Sequence, residues 1–126
     1  MQASSQSISM FGKHRSQRQT VTSPTYVSLG SSTGGFLCNL SEGGLAIDLF
    51  GRIARNQVVR VGFELPNTGY RIEAVGQIAW TNESARRAGL KFVDIPGTSR
   101  RRIRHWIRLQ ARHRDRLSLD TIKPDF

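Results

Sequence analysis

Apolar stretches of strand length, separated by Gly, Asn and Pro, follow one another between residues 25 and 93. The clearest lies at 70–80, where Ile72, Ala74, Ile78 and Trp80 alternate with polar residues, and this period of two is typical of a half-buried strand. The alternation predicts that Ile78 and Trp80 face the core. Further strands are predicted at 25–29, 35–40, 45–49, 58–65 and 88–93, with a hairpin turn at 66–69.

The apolar period changes after residue 97. Ile103 and Trp106 fall on one face of a helix and arginines cover much of the rest, which predicts an amphipathic helix at 98–112 that packs on the strands. Thr98 or Ser99 is expected to cap this helix. Six strands followed by one helix predict an all-β fold, namely a six-stranded antiparallel β-barrel with a C-terminal α-helix.

The 126 residues are enough for one domain of ordinary size. We expect that domain at 13–112, consisting of an arm at 13–24, the barrel at 25–95 and the helix at 98–112. The polar segments on either side are expected to be tails, a disordered one at 1–12 and a C-terminal one at 113–126.

The composition favours an anionic partner. A formal net charge of +10, from 19 Lys and Arg against 9 Asp and Glu, attracts phosphorylated ligands, polyanions and anionic membrane surfaces alike. Eight of the arginines lie between residues 100 and 116. The single cysteine, Cys38, excludes an internal disulfide, and no apolar run approaches the roughly 18 residues of a membrane span. The sequence therefore predicts a cytoplasmic location without a membrane span.

Motifs for catalysis are missing from the sequence. His14, His105 and His113 have no cysteine or carboxylate at metal-ligand spacing, so we predict no metal site and no cofactor. Ser41 does not form a hydrolase Gly-x-Ser-x-Gly elbow because Asn39 occupies the first glycine position. A phosphate-binding Gly-Lys-Ser/Thr loop is also missing. We predict that the protein is not an enzyme.

A binding site is chemically more coherent. Arg15 and Arg18 offer planar forks of donors that match phosphate oxygens and the O6/N7 edge of guanine. Asn39 can donate and accept at a base edge, and Ser41 can bond a base or a phosphate. Glycine at positions 43 and 44 permits close backbone approach, although such residues also make ordinary turns. Together these residues predict a pocket for a guanine nucleotide.

These features resemble the PilZ domain family over residues 13–109. The likeness rests on the arginine arm, the Asn39-x-Ser41-x-x-Gly44 turn, the strand ending Gly76-Gln77-Ile78-Ala79-Trp80, and Ala88-Gly89-Leu90-Lys91-Phe92 before the helix. The resemblance implies a bacterial second-messenger receptor that binds cyclic di-GMP and signals to an effector protein. The ligand residues that it implies are Arg15, Arg18, Asn39, Ser41 and Gly44, with His14 and Gly43 as further candidates.

The arm departs from the family pattern. In the family the arm reads Arg-x-x-x-Arg, whereas here His14 lies four residues before Arg18 and Arg15 gives Arg-x-x-Arg. The resemblance further implies an arm that folds across the ligand when its arginines engage it. Two alternatives remain: a PilZ-like adaptor that has lost ligand binding, and a nucleic-acid-binding β domain that uses its arginine-rich helix.

Overall fold

A computed structural model of the chain describes residues 17–30, 33–82, 84 and 86–122, with side chains as far as His113. The predicted N-terminal tail at 1–12 lies outside these residues. The described chain forms seven strands and one helix: β1 Gln19–Thr20, β2 Tyr26–Leu29, β3 Thr33–Leu40, β4 Gly44–Leu49, β5 Val58–Glu64, β6 Arg71–Thr81, β7 Arg87–Asp94 and α1 Gly97–Ile122.

The strands close into a barrel. Every pairing is antiparallel, the strand order is β3-β2-β5-β6-β7-β4, and β4 pairs back with β3. The short β1 pairs with the last two residues of β3, with Gln19 opposite Leu40 and Thr20 opposite Asn39. The predicted six-stranded barrel with a C-terminal helix is confirmed, and β1 is an additional strand.

Alternate residues of the six strands fill the barrel, and α1 closes one end of it. Phe63, Ile72 and Ile78 are fully buried in the interior, and Ile103 and Trp106 of α1 pack against the same core. Burial of each such side chain is worth roughly 1.5–3 kcal/mol. The Trp106 Nε1–H also donates to the carbonyl oxygen of Pro66 at 3.0 Å, which ties α1 to the β5–β6 hairpin.

Both ends of α1 differ from the sequence prediction. The helix begins at Gly97, and the Arg100 N–H donates to the Pro96 carbonyl at 3.0 Å, so Pro96 rather than Thr98 or Ser99 precedes the first turn. It continues to Ile122 through most of the predicted tail at 113–126, because Arg, Leu and Gln are good helix formers and no Gly or Pro interrupts 98–122. Within the described chain, no helix combines the length and apolarity needed to cross a membrane.

Candidate functional site

The turn between β3 and β4 is held closed by Ser41. Its hydroxyl accepts the N–H groups of Gly43 and Gly44, both at 3.2 Å, and lies 3.3 Å from the Gly44 carbonyl, to which it donates. The Ser41 N–H donates to the same carbonyl at 2.9 Å. The serine predicted to contact a ligand therefore fixes the shape of the turn, in the way that short polar side chains stabilise turns generally.

The two glycines of the turn have different surroundings. A Cβ at Gly44 would overlap the backbone carbonyl oxygen of Leu90, because β4 and β7 approach closely at this point. A Cβ at Gly43 would meet nothing within 4 Å. Gly44 thus has a packing role in the barrel, whereas the surface beside Gly43 is open.

A β-bulge turns Asn39 outward. Leu37 and Leu40 are both buried, and the register of β3 against β4 shifts between Leu37 and Asn39, so the extra residue Cys38 breaks the alternation. Asn39 consequently lies on the outer face, half-buried, opposite Ala46 of β4 and Thr20 of β1. Its amide makes no hydrogen bond to another described side chain, which leaves its donors and acceptor available to a ligand.

A second bulge turns Trp80 outward, and the prediction that Trp80 faces the core is wrong. The register of β6 against β7 shifts between Ile78 and Trp80, and the residue inserted there, Ala79, reverses the alternation. Trp80 is 38% exposed and its indole lies over Gly89, where a Cβ would overlap the indole nitrogen. Sequence reasoning missed this residue as a site candidate; the glycine opposite it in β7 is the only signal.

Five outward residues form one row across β1, β3, β4, β7 and β6, since paired positions of antiparallel strands share a face. We call this row the platform; its members are Thr20, Asn39, Ala46, Gly89 and Trp80. The indole of Trp80 covers Gly89, and the small Ala46 lies between this ring and the amide of Asn39. The result is an outer surface that carries an aromatic ring and an amide.

Basic side chains flank the platform. Arg18 is exposed and directly precedes β1, and continuing the register of β1 against β3 by one residue brings it opposite Ser41. Lys91 is exposed two residues beyond Gly89 on the same face, opposite Gly44, and sequence reasoning did not single it out. The structure thus brings Arg18, Asn39 and the Ser41 turn together. His14 and Arg15 lie outside the described residues.

The turn is also tied to the helix by an ion pair. Arg104 of α1 donates to both carboxylate oxygens of Glu42, from Nε at 2.9 Å and from Nη2 at 3.0 Å. This hydrogen bonding raises the pKa of the Arg104 guanidinium above its ordinary value. Arg100 adds a longer contact, 3.4 Å, to the Glu42 carbonyl. A movement of the β3–β4 turn would therefore be transmitted to the N-terminal part of α1.

A second ion pair near the platform joins Arg87 and Asp48. Arg87 donates to Asp48 at 2.9 Å, and this hydrogen bond lowers the pKa of the carboxyl group. Burial, followed by the hydrogen bond and charge of Asp48, raises the pKa of the Cys38 thiol.

In the described part of the chain, no three His, Cys, Asp or Glu side chains are grouped so as to hold a metal ion.

Comparison with known proteins gives one family and a shared fold. The family model described as PilZ domain matches residues 13–109. The structure is similar to that of YcgR from Escherichia coli in complex with c-di-GMP, with a TM-score of 0.69 and 16% identity over 86% of this chain and 50% of that chain. It is also similar to the Bacillus subtilis inhibitor of motility MotI/DgrA, with a TM-score of 0.62 and 16% identity over 78% of this chain and 51% of that chain. No curated protein sequence matches the chain.

Proposed function

The chain belongs to the PilZ domain family, and from this premise we propose that it binds cyclic di-GMP on the platform and relays that binding to a partner protein. The observation that carries the proposal is the platform itself, which lies beside the Ser41 turn and Arg18. Its role is binding rather than catalysis. Action in the bacterial cytoplasm belongs to the same proposal.

The platform suits the chemistry of a guanine dinucleotide. An exposed indole stacks on a base face, an interaction worth roughly 1–3 kcal/mol. The backbones of Trp80 and Asn39 are three strand spacings apart, about 14 Å, and the indole occupies the part of this span over Gly89. Asn39 offers a donor and an acceptor to a base edge, and the fork of Arg18 fits either a phosphate or the O6/N7 edge of guanine. Lys91 supplies a further positive charge for phosphate.

The relay begins in the arm. Thr20 pairs with Asn39 in the platform and the Val21 N–H donates to the Cys38 carbonyl at 2.8 Å, so the chain next to Arg18 is anchored to β3. A ligand that engages Arg18 on the platform draws the residues before it across its other face. We include Arg15 and His14 in this closure, since their charge and spacing suit a second phosphate or guanine contact.

Calorimetric titration of the full chain with cyclic di-GMP tests the proposal. We expect binding well below tens of micromolar, on the order of 8 kcal/mol or more. Arg18→Ala should weaken binding about tenfold or more, because hydrogen bonds to charged groups contribute roughly 1.5–3 kcal/mol. Arg15→Ala should be milder, given its shortened spacing from Arg18.

Arg52→Ala is the matched control for those two variants. It removes the same charge from an exposed position in the β4–β5 connection, at the opposite end of the barrel from the Ser41 turn. Its affinity should equal that of the wild type. Lack of binding at tens of micromolar ligand contradicts the receptor proposal and leaves an adaptor that works through protein contacts alone. Wild-type affinity in both Arg15→Ala and Arg18→Ala would show that the arm is not part of the binding site.

Nucleic-acid binding is the second candidate function, and the exposed arginines of α1 favour it. Arg108 and Arg112 are exposed on the helix and lie outside the ion pair with Glu42. A mobility-shift assay with duplex and single-stranded oligonucleotides discriminates the two functions. A shift that is independent of cyclic di-GMP and disappears in the double variant Arg108→Gln with Arg112→Gln assigns nucleic-acid binding.

A further inference from the structure

A concave surface lies away from the platform, between α1 and the β5–β6 hairpin. We call it the helix cleft. Its volume is about 320 Å³; the buried Leu65 and Trp106 make its floor, and Leu109 forms one of its walls. The hydrogen bond from Trp106 Nε1 to the Pro66 carbonyl, 3.0 Å, holds helix and hairpin together at the base of the cleft. The cleft is therefore part of the closed end of the barrel.

The walls of the cleft are open to solvent. Tyr70 is 45% exposed and Leu109 is 44% exposed, so apolar surface is presented on both sides. The guanidinium of Arg102 lies over the Tyr70 ring, 3.9 Å from its centroid, in a cation–π contact. The cleft thus offers accessible apolar surface to an apolar side chain of a partner.

The rim of the cleft is positively charged. Arg101, Arg102 and His105 line it, and none of them forms an ion pair with a carboxylate of the described residues. An apolar floor beside Arg101 and Arg102 is complementary to a large apolar side chain flanked by carboxylates. A nucleic acid would match the arginines of the rim and leave the apolar floor without a partner.

We propose that the helix cleft is the docking site for a peptide segment of a partner protein, in which one or two large apolar residues lie among Asp and Glu. The position of α1 between the two sites supports this assignment, because Arg100 and Arg104 face Glu42 of the ligand turn while Arg102, Trp106 and Leu109 line the cleft. Identifying this peptide as the target of the messenger relay rests on the proposed function. Peptide docking itself does not.

Selection from a phage-displayed library of random 12-residue peptides against the immobilised full chain tests the proposal. We expect enrichment of peptides that carry one or two of Leu, Ile, Phe and Trp within three positions of Asp or Glu. Their affinities, measured with fluorescein-labelled synthetic peptides by anisotropy, should fall about tenfold or more in Arg101→Glu with Arg102→Glu. The matched control is Arg52→Glu with Arg55→Glu, the same charge change on two exposed residues at the other end of the barrel.

Leu109→Lys separates docking from general attraction of anions. It removes an apolar wall of the cleft and adds a positive charge, so it should weaken the selected peptides and strengthen a purely electrostatic partner. Stronger binding in this variant overturns the proposal, as do enriched peptides without acidic residues or an equal loss in the Arg52/Arg55 control. A dimer seen by light scattering and lost in the Arg101/Arg102 variant assigns the cleft to a second copy instead.

The same variants separate this proposal from the receptor function. Cyclic di-GMP titration of the Arg101/Arg102 and Leu109 variants should give the wild-type affinity, because none of these residues contacts the platform or Glu42. Peptide binding without messenger binding leaves the helix cleft as a docking site and removes the receptor. Binding of cyclic di-GMP without binding of peptides supports the receptor function and overturns the docking site. Melting curves of all variants establish that each is folded.

Discussion

Gly44 and Gly43 are adjacent in sequence and differ in what surrounds them. A methyl group at position 44 would overlap the Leu90 carbonyl, a backbone atom that cannot move without separating β4 from β7. We expect Gly44→Ala to lower the free energy of unfolding by about 1–3 kcal/mol, the usual cost of overpacking. Gly43→Ala has open space and should change it by less than about 1 kcal/mol. Urea denaturation checks this, and equal losses would contradict the assignment of roles.

Trp80 should report ligand binding directly. The chain has two tryptophans, Trp80 on the outer face and the buried Trp106. Stacking of a guanine on the exposed indole should change its emission, and a fluorescence titration with cyclic di-GMP measures that change. Trp106→Phe should retain the signal and Trp80→Phe should lose it. A signal that survives in Trp80→Phe would remove the indole from the site.

Cys38 gives a pH-dependent probe beside the platform. Burial and the neighbouring Asp48 carboxylate raise the pKa of the thiol, so less reactive thiolate is present at a given pH than in a free cysteine. The rate of alkylation by iodoacetamide, measured by mass spectrometry, should therefore rise with pH along a curve that lies at higher pH than the curve of a model thiol. Asp48→Asn should speed the reaction at pH 8, and saturating cyclic di-GMP should slow it. A wild-type chain that reacts as fast as the model thiol would contradict this.

The outward position of Trp80 shows where residue-scale prediction fails. Asn39 was proposed as a ligand contact from its chemistry, without a predicted face, whereas Trp80 was assigned to the core because strict alternation continues from Ile72. Alternation fixes side-chain direction only while the register is unbroken, and one inserted residue reverses it. The bulges at Cys38 and Ala79 arise from pairing with β4 and β7, which are distant in sequence. Local pattern therefore finds the strands but does not place every side chain on the correct face.

At the scale of elements, the contact between the β3–β4 turn and α1 joins the candidate site to the end of the barrel. Glu42→Gln removes the charge that binds Arg104 while keeping the shape of the side chain. We expect faster hydrogen exchange in the first two turns of α1 and unchanged exchange in β5 and β6, because the hydrogen bonds of Glu42 with Arg100 and Arg104 lead to α1 and none within the described residues leads to those strands. Exchange followed by mass spectrometry measures this.

Glu73→Gln is the control for that experiment. It breaks the ion pair with Arg71, 2.8 Å long, which lies within β6 and connects no second element. This variant should leave α1 unchanged, as expected for an exposed pair of small net worth. The same exchange pattern in both variants would show that loss of any carboxylate, rather than the contact from turn to helix, loosens α1.

Elements were predicted better than their ends. The six barrel strands and the helix follow from period and turn composition, and the packing of Trp106 on the barrel follows from its place on the apolar face. The two-residue β1 carries no periodic signal, since it exists only through pairing with β3. The helix α1 extends past the predicted end at residue 112 because polar composition was taken for a tail, although arginine is a good helix former as well as a polar residue.

The whole molecule separates its charge from its candidate nucleotide site. Half of the arginines lie on α1, whereas the platform is flanked by Arg18 and Lys91. The chain also spans about half the length of the YcgR and MotI/DgrA chains with which it shares a fold. The long-range field of the chain attracts anions of every kind, so affinity alone does not identify the ligand.

Salt dependence distinguishes the two anionic ligands at this scale. Cyclic di-GMP carries two phosphates and meets few cations on the platform, so its dissociation constant should rise by less than about tenfold between 50 and 200 mM salt. An oligonucleotide bound along the arginines of α1 releases many counterions, and six to ten phosphate contacts would weaken its binding by roughly 10³–10⁵ over the same range. Titrations of both ligands in matched buffers measure the slopes. A steep slope for cyclic di-GMP would move its binding from the platform to α1, because only a dense array of cations produces such a dependence.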